Sequence, residues 1–194
     1  MTNSEIRAKA RQNLGGNIFA NSWMLALVVA LINTILTSVT GSVVPFIGSL
    51  LIYGPLMVGV SGYFLAQARQ EKTPSLENMF NGFSDFGNNF VLGLLMYLFI
   101  FLWSLLFIIP GIVKSYAYSM AFYLKHDHPE YTWRECLDES QRIMDGHKGQ
   151  LFLLDLSFIG WWILGVLCCG IGTLWVAPYT NAARANFYEV VKEN

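Results

Sequence analysis

The sequence predicts an all-α fold, a polytopic membrane helical bundle of about six spans in three hairpins, each hairpin preceded by an amphipathic interfacial helix. Three observations carry this. Of 194 residues, 54% are hydrophobic and 13% charged, about half the charged share of a soluble domain, and mean hydropathy is +0.44. The apolar residues collect into runs almost free of charge, several of which approach the roughly 20 residues a spanning helix needs. Between the runs lie moderately polar segments whose apolar residues recur at helical spacing.

The runs extend from Trp23 to about Val39, Phe46 to Leu65, Phe90 to Ile109, Ile112 to Leu124, Leu151 to Leu167, and Ile171 to about Val190. No small-residue cleavage site precedes the first, so it reads as a retained span rather than a secretory signal. The fourth has about 13 residues, roughly 20 Å of helix, so it is either a short span or a re-entrant helix. Tight turns are expected at Thr40-Gly41-Ser42 followed by Pro45, at Pro110-Gly111, and at Cys169-Gly170-Ile171-Gly172, where glycine and proline interrupt the helix ladder.

With both termini cytoplasmic, Arg7, Lys9, Arg11, Arg69, Lys72, Lys125, Arg134, Arg142, Lys148 and Lys192 share the cytoplasmic side, as the positive-inside rule requires. Lys114 alone falls toward the opposite face, and Arg184 lies within the last helix.

A polar segment with one apolar stripe precedes each hairpin: Ile6, Ala10 and Leu14; Leu76, Met79, Phe80 and Phe83; Trp133, Cys136, Leu137, Ser140, Ile143 and Met144. Each closes on glycine and polar residues, at Gly15-Gly16-Asn17, Gly87-Asn88-Asn89 and Gly146-His147-Lys148-Gly149. The pattern reads as one integral membrane domain, 1–194, with pseudo-repeats at roughly 4–70, 74–125 and 132–192. The stripes are either apolar faces resting in the headgroup layer or simple loop helices.

Ionisable residues inside spans need a partner or water. Asp155 and Arg184 each lie about fourteen or fifteen residues from the turn near Gly170, hence at similar depth. They read either as a structural ion pair or as a functional polar site. The last helix adds Asn181 beside small residues, as packing glue or as the lining of a ligand site. Lys114 sits in the polar run Lys114 to Ser119 and is the fourth candidate, reading either as a cavity wall or as a lysine reaching for headgroups.

Several classes of function have no residues to support them. His126-Asp127-His128 sits beside Pro129 in an expected loop, and no further His or Cys group completes a metal set. Cys136, Cys168 and Cys169 imply neither zinc nor a disulfide framework and read as small apolar residues. No HExxH, GxSxG, Walker-type or GxGxxG motif is present, so a catalytic constellation is not expected, nor is a cofactor. A formal net charge of −1 offers nothing to nucleic acid.

The strings FSDFGNNF (Phe83–Phe90), LFIFLWSLLFIIPGIVKSYAYSM (Leu98–Met120), ESQRIMDGHK (Glu139–Lys148), LDLSFIGWW (Leu154–Trp162) and PYTNAARANFYE (Pro178–Glu189) together resemble the family called domain of unknown function 975. The resemblance covers nearly the whole chain. It implies a bacterial, multi-pass plasma-membrane protein and brings no functional residues to carry over. The expectation is a non-catalytic protein that binds or moves lipid or another amphiphile. A scaffold or accessory subunit, working with a protein partner or as a homo-oligomer, is the alternative.

Overall fold

A computed structural model describes residues 1–15, 21–43, 47–70, 76–167 and 172–193. Its helices are α1 (Asn3–Asn13), α2 (Asn21–Val43), α3 (Ile47–Ala68), a 3₁₀ helix (Leu76–Phe83), α4 (Phe86–Leu106), α5 (Ile108–Ala117), α6 (Ala121–Asp127), α7 (Trp133–Ile143), α8 (Lys148–Leu156), α9 (Ile159–Leu167) and α10 (Thr173–Val191). Among the described residues there is no strand.

Three stretches are long and apolar enough to cross a membrane: Leu51–Ala68, Phe86–Leu105 and Lys148–Leu167, the last running through α8 and α9. Asn21–Leu36 of α2 is a shorter apolar helix. The first is mostly buried and the other two mostly exposed. Leu105, Ile108, Ile109 and Leu167 are each more than 70% exposed, at 73, 75, 75 and 73%. A continuous apolar surface of this kind would be a severe liability in water and is the normal solvent-facing surface in a bilayer. The molecule is built for association with a membrane.

Two of the three expected turns differ from the positions their prolines and glycines suggest. Helix α2 runs through Thr40, Gly41 and Ser42 to Val43, and Pro45 is outside the described residues. The expected turn at Cys169-Gly170-Ile171 also lies outside them, as do Cys168, Gly16 and Asn17. Pro110-Gly111 sits inside the first turn of α5, and the break falls at Phe107, whose backbone is extended. Proline in a first turn gives up no helical N–H bond, whereas its ring excludes a helical carbonyl four residues earlier, at Leu106. The expected span Ile112–Leu124 is likewise interrupted. It divides between α5 and α6 at a turn over 118–120, and α6 is buried from Ala121 to Lys125. His126 and Asp127 are the last turn of α6 rather than a loop, with His128 as its cap.

Helices α1 and α7 begin alike. Thr2 and Glu5 form a reciprocal capping box, and so do Thr132 and Glu135, each satisfying backbone donors that a helix start leaves without partners. Gly15 (φ 98°) and Gly146 (φ 76°) end the two segments in the left-handed conformation that glycine tolerates best. The middle segment differs: it is a 3₁₀ helix, and Gly87 lies within α4.

The apolar stripes of α1 and α7 face protein, whereas Phe80 in the middle segment is 49% exposed. Ile6, Ala10 and Leu14 are fully buried, with α1 packed against α10, α3 and α8. The α7 stripe packs against α6 and α4. Helix–helix burial meets the same hydrophobic demand that a headgroup layer would, so these are packing faces rather than a lipid-facing collar. Ser140 of α7 also accepts from the Met120 N–H (3.2 Å) and donates to the Ala117 carbonyl (2.8 Å). It thereby satisfies backbone groups on both sides of the α5–α6 turn. Burial pushes the Cys136 thiol of α7 up to about 11, which keeps it protonated as an apolar side chain.

Helix α3 is the centre of the bundle, touching α2, α4, α6, α10 and the 3₁₀ helix. Its glycines set the distances. A Cβ on Gly54 would lie 2.0 Å from the Asn89 carbonyl oxygen of α4, one on Gly59 1.7 Å from the Met79 carbonyl oxygen, and one on Gly62 2.0 Å from the His126 ring. Backbone therefore meets backbone at Gly54 and Gly59, where larger residues would hold the helices apart, and at Gly62 the backbone makes room for the His126 ring.

Polar groups close one end of the bundle. Arg69, following α3, hydrogen-bonds Asp127 of α6 and Glu189 of α10, and the Tyr188 hydroxyl donates to Asp127 at 3.1 Å. Lys192 donates to Glu189 at 3.0 Å. Asn13 donates to the Ala68 carbonyl (3.1 Å) and to Asn186 (3.2 Å), fastening the end of α1 to the same place. Lys125, 3% exposed, donates to the carbonyls of Pro129 (2.6 Å) and Tyr131 (2.9 Å) and pairs with Asp85 (3.2 Å). Burial raises the Asp127 pKa, but the His126 ring, Arg69 and Tyr188 more than reverse this and hold the carboxyl well below its ordinary range.

Two outcomes follow. Gly59→Ala forces α3 away from the 3₁₀ helix and lowers stability by about 1–3 kcal/mol, whereas Gly160→Ala, whose Cβ meets nothing within 4 Å, is neutral or mildly stabilising; thermal unfolding in detergent compares them. Because the Asp127 pKa is depressed on folding, its contribution is present above the unfolded value of about 4 and is lost as pH falls below it. Asp127→Asn therefore lowers stability at neutral pH and reduces the loss of stability between about pH 5 and pH 3, measured by unfolding across that range.

Candidate functional site

Helix α10 presents Ala177, Thr180, Asn181 and Arg184 along one side, a spacing of three and four residues that keeps them in line. Opposite stand Asp155 of α8, Phe158 at the α8–α9 junction, and Trp162 of α9. Together these residues line a cavity of about 360 Å³. The junction is a local tightening of the helix: Ser157 and Phe158 form a turn, with the Ser157 hydroxyl donating to the Leu154 carbonyl at 2.5 Å. Close approach at the far end brings α9 to α10, since a Cβ on Gly172 would lie 2.7 Å from the Gly165 Cα.

Asp155 and Arg184 meet on the cavity wall. Arg184 Nε donates to Asp155 Oδ1 at 3.2 Å, and Nη2 donates to Oδ2 at 2.7 Å. This is a two-bond fork, stronger and more directional than a single contact. The Tyr116 hydroxyl of α5 adds a third bond to Oδ2 at 3.3 Å, and its ring meets Phe152 edge-on at 5.9 Å. The Asp155 side chain is 18% exposed and that of Arg184 41%. The carboxylate is thus the more buried of the two, and both side chains line the cavity. Its Nη1 has no hydrogen-bond acceptor among the described residues.

The other polar residues of α10 divide between packing and cavity. Asn186 donates to the Ala182 carbonyl at 2.8 Å and accepts from Asn13, on the face where Ala182, Ala183 and Ala185 are buried. It is packing glue. Asn181 lies on the cavity side. Thr180 spends its hydroxyl proton on the Val176 carbonyl at 2.9 Å and keeps its oxygen as an acceptor.

Lys114 is elsewhere. Its Nζ donates to Gln141 of α7 at 2.7 Å and lies 5.4 Å from the Trp103 ring centroid and 5.6 Å from that of Tyr118. It stands beside the helix that carries Arg134 and Arg142. Residues two apart on a helix point about 200° away from each other, so the turn that aims Lys114 at α7 aims Tyr116 at Asp155. The sequence left Lys114 as either a cavity wall or a lysine reaching for headgroups; in the structure it lies outside the lining of this cavity, and Tyr116 of the same run is the residue that reaches Asp155. Phe158, Trp162, Thr180 and Ala177 carried no charge signal and were not selected at all. The i, i+3, i+4, i+7 spacing of Ala177, Thr180, Asn181 and Arg184 was the signal that could have found the α10 side.

The site can hold a polar group. The ion pair supplies a directional donor edge and a carboxylate without net charge, set beside two large aromatic side chains.

No curated protein and no solved structure matches this chain. The family model described as protein of unknown function (DUF975) matches residues 1–114 and 105–194, end to end. The chain, with its apolar helices long enough to span a membrane and its paired Asp155 and Arg184, belongs to the DUF975 family.

Proposed function

We propose that this chain is a six-span bacterial plasma-membrane protein, three hairpins with both termini cytoplasmic, that binds or moves an amphiphile without catalysing a reaction on it. The gathering of Arg69, Lys125 and Lys192 at one end of the bundle supports the orientation, since basic residues are retained on the cytoplasmic side. The observation that carries the functional reading is the Asp155–Arg184 fork on the wall of the cavity between α8–α9 and α10.

An ion pair serving packing alone would have no need of an open space beside it. Here Arg184 keeps a donor edge toward a cavity whose other walls include Phe158 and Trp162. Trp162 is flanked on α9 by Ile159 and Ile163, 49% and 56% exposed, so the cavity adjoins the lipid-facing surface. A headgroup would seat on the ion pair while its chains lie against α9 and the surrounding lipid. Polar groups few in number and convergent within apolar walls are the usual make-up of such sites.

The test is native mass spectrometry of the protein extracted gently with its own lipid. Wild type retains a phospholipid in fixed ratio. Arg184→Gln, still helical and monodisperse, removes a charge-assisted hydrogen bond and loses about 1.5–3 kcal/mol of binding, roughly a ten- to hundredfold fall in retention. Equal retention by the variant refutes the reading, and a partner-bound mass without lipid replaces it with that of an accessory subunit.

A further inference from the structure

The chemistry of the unfilled bonding positions goes further than the existence of a site. Resting on the amphiphile reading, we infer that the cavity selects a zwitterionic headgroup, an anionic phosphate joined to an ammonium, over a purely anionic or an uncharged one.

The argument begins with charge. Asp155 and Arg184 neutralise each other, and the remaining lining residues, Phe158, Trp162, Ala177, Thr180 and Asn181, carry no charge. A bare anion bound against Arg184 would leave one uncompensated negative charge beside the apolar walls of Phe158 and Trp162, which is unfavourable. A zwitterion adds no net charge. The cavity is therefore matched to a headgroup that is internally balanced.

Bonding capacity narrows the choice. A carboxylate offers about four acceptor positions. On Asp155 three are taken, by Arg184 Nε and Nη2 and by the Tyr116 hydroxyl, and the open one is on Oδ1. A guanidinium offers five N–H donors in a fixed fork. Two face Asp155, leaving the Nη1 edge for an oxyanion. One open acceptor beside an open donor edge is complementary to an ammonium and a phosphate on one headgroup. Asn181, with an amide that donates and accepts, and the Thr180 oxygen can satisfy the remainder. An uncharged headgroup would exploit neither charged position, and a phosphate lacking the ammonium would meet the Asp155 charge with nothing to offset it.

The experiment is competition on the full-length protein in detergent. Phosphatidylethanolamine, phosphatidylglycerol and diacylglycerol with identical acyl chains are presented in equal amount, and retained lipid is read by native mass spectrometry. Wild type retains phosphatidylethanolamine about tenfold over either competitor, equivalent to about 1.4 kcal/mol. Asp155→Asn leaves Arg184 as an unbalanced cation, and the preference moves to phosphatidylglycerol. Phosphatidylglycerol or diacylglycerol retained by wild type as well as phosphatidylethanolamine overturns the headgroup inference while the amphiphile reading stands. Retention of none of the three removes both. Should Asp155→Asn fail to fold, the wild-type competition decides alone.

Discussion

The close approach of other elements to α3 is the constraint on which the rest of the bundle depends. Gly54, Gly59 and Gly62 bring α4, the 3₁₀ helix and α6 to contact distances that any side chain would prevent. In a bilayer the hydrophobic effect gives little reason for one apolar helix to prefer another over lipid, so close packing and polar contacts between helices must supply it. The glycines supply the first and the Arg69–Asp127–Glu189 cluster the second, at the end where α3, α6 and α10 finish. Helix α10, held there and against α1, then presents its Ala177–Arg184 side to α8 and α9.

Breaks in the helices matter as much as their lengths. Extended Phe107 lets α5 pack against α4, as shown by the Gly111 position, where a Cβ would lie 2.1 Å from the Ser104 hydroxyl. The turn over 118–120 redirects α6 into the protein, and Ser140 supplies hydrogen bonds to backbone on both sides of it. Exposed backbone groups are costly in a membrane, so a break is tolerated where another helix brings a polar side chain to it. Between the two breaks lies Tyr116, whose hydroxyl reaches Asp155. The position of the site follows from the irregular backbone.

Much of this was legible in the sequence, for reasons that differ by element. Apolar run length reads directly onto α3, α4 and α8–α9, because composition alone sets what can cross a membrane. Counting residues from an expected turn placed Asp155 and Arg184 at one depth, and the structure pairs them. The amphipathic period of α1 and α7 was equally visible. What covers a stripe was not, since lipid headgroups and neighbouring helices make the same demand of sequence. Proline and glycine were less informative: Pro110 is consistent with several break points, and only packing against α4 and α7 selects Phe107 and 118–120. Lys114 drew attention by its charge, whereas helical phase decides direction and turns Tyr116 toward Asp155.

The burial of α1 carries a consequence for the order in which the molecule is made. Its Ile6–Ala10–Leu14 stripe lies in the core, and its partners include α8 and α10, with Tyr179 of α10 donating to the Arg7 carbonyl at 3.3 Å and the Asn3 amide donating to the Gln150 carbonyl at 3.1 Å. Those partners lie far along the chain from α1 and leave the ribosome long after it. Until they are made, α1 waits with its apolar side incompletely covered, and the bilayer surface is the apolar environment close at hand. The amphipathic character of α1 thus serves the nascent chain first and the finished core afterward, and the covering of α1 waits on the synthesis of α8 and α10.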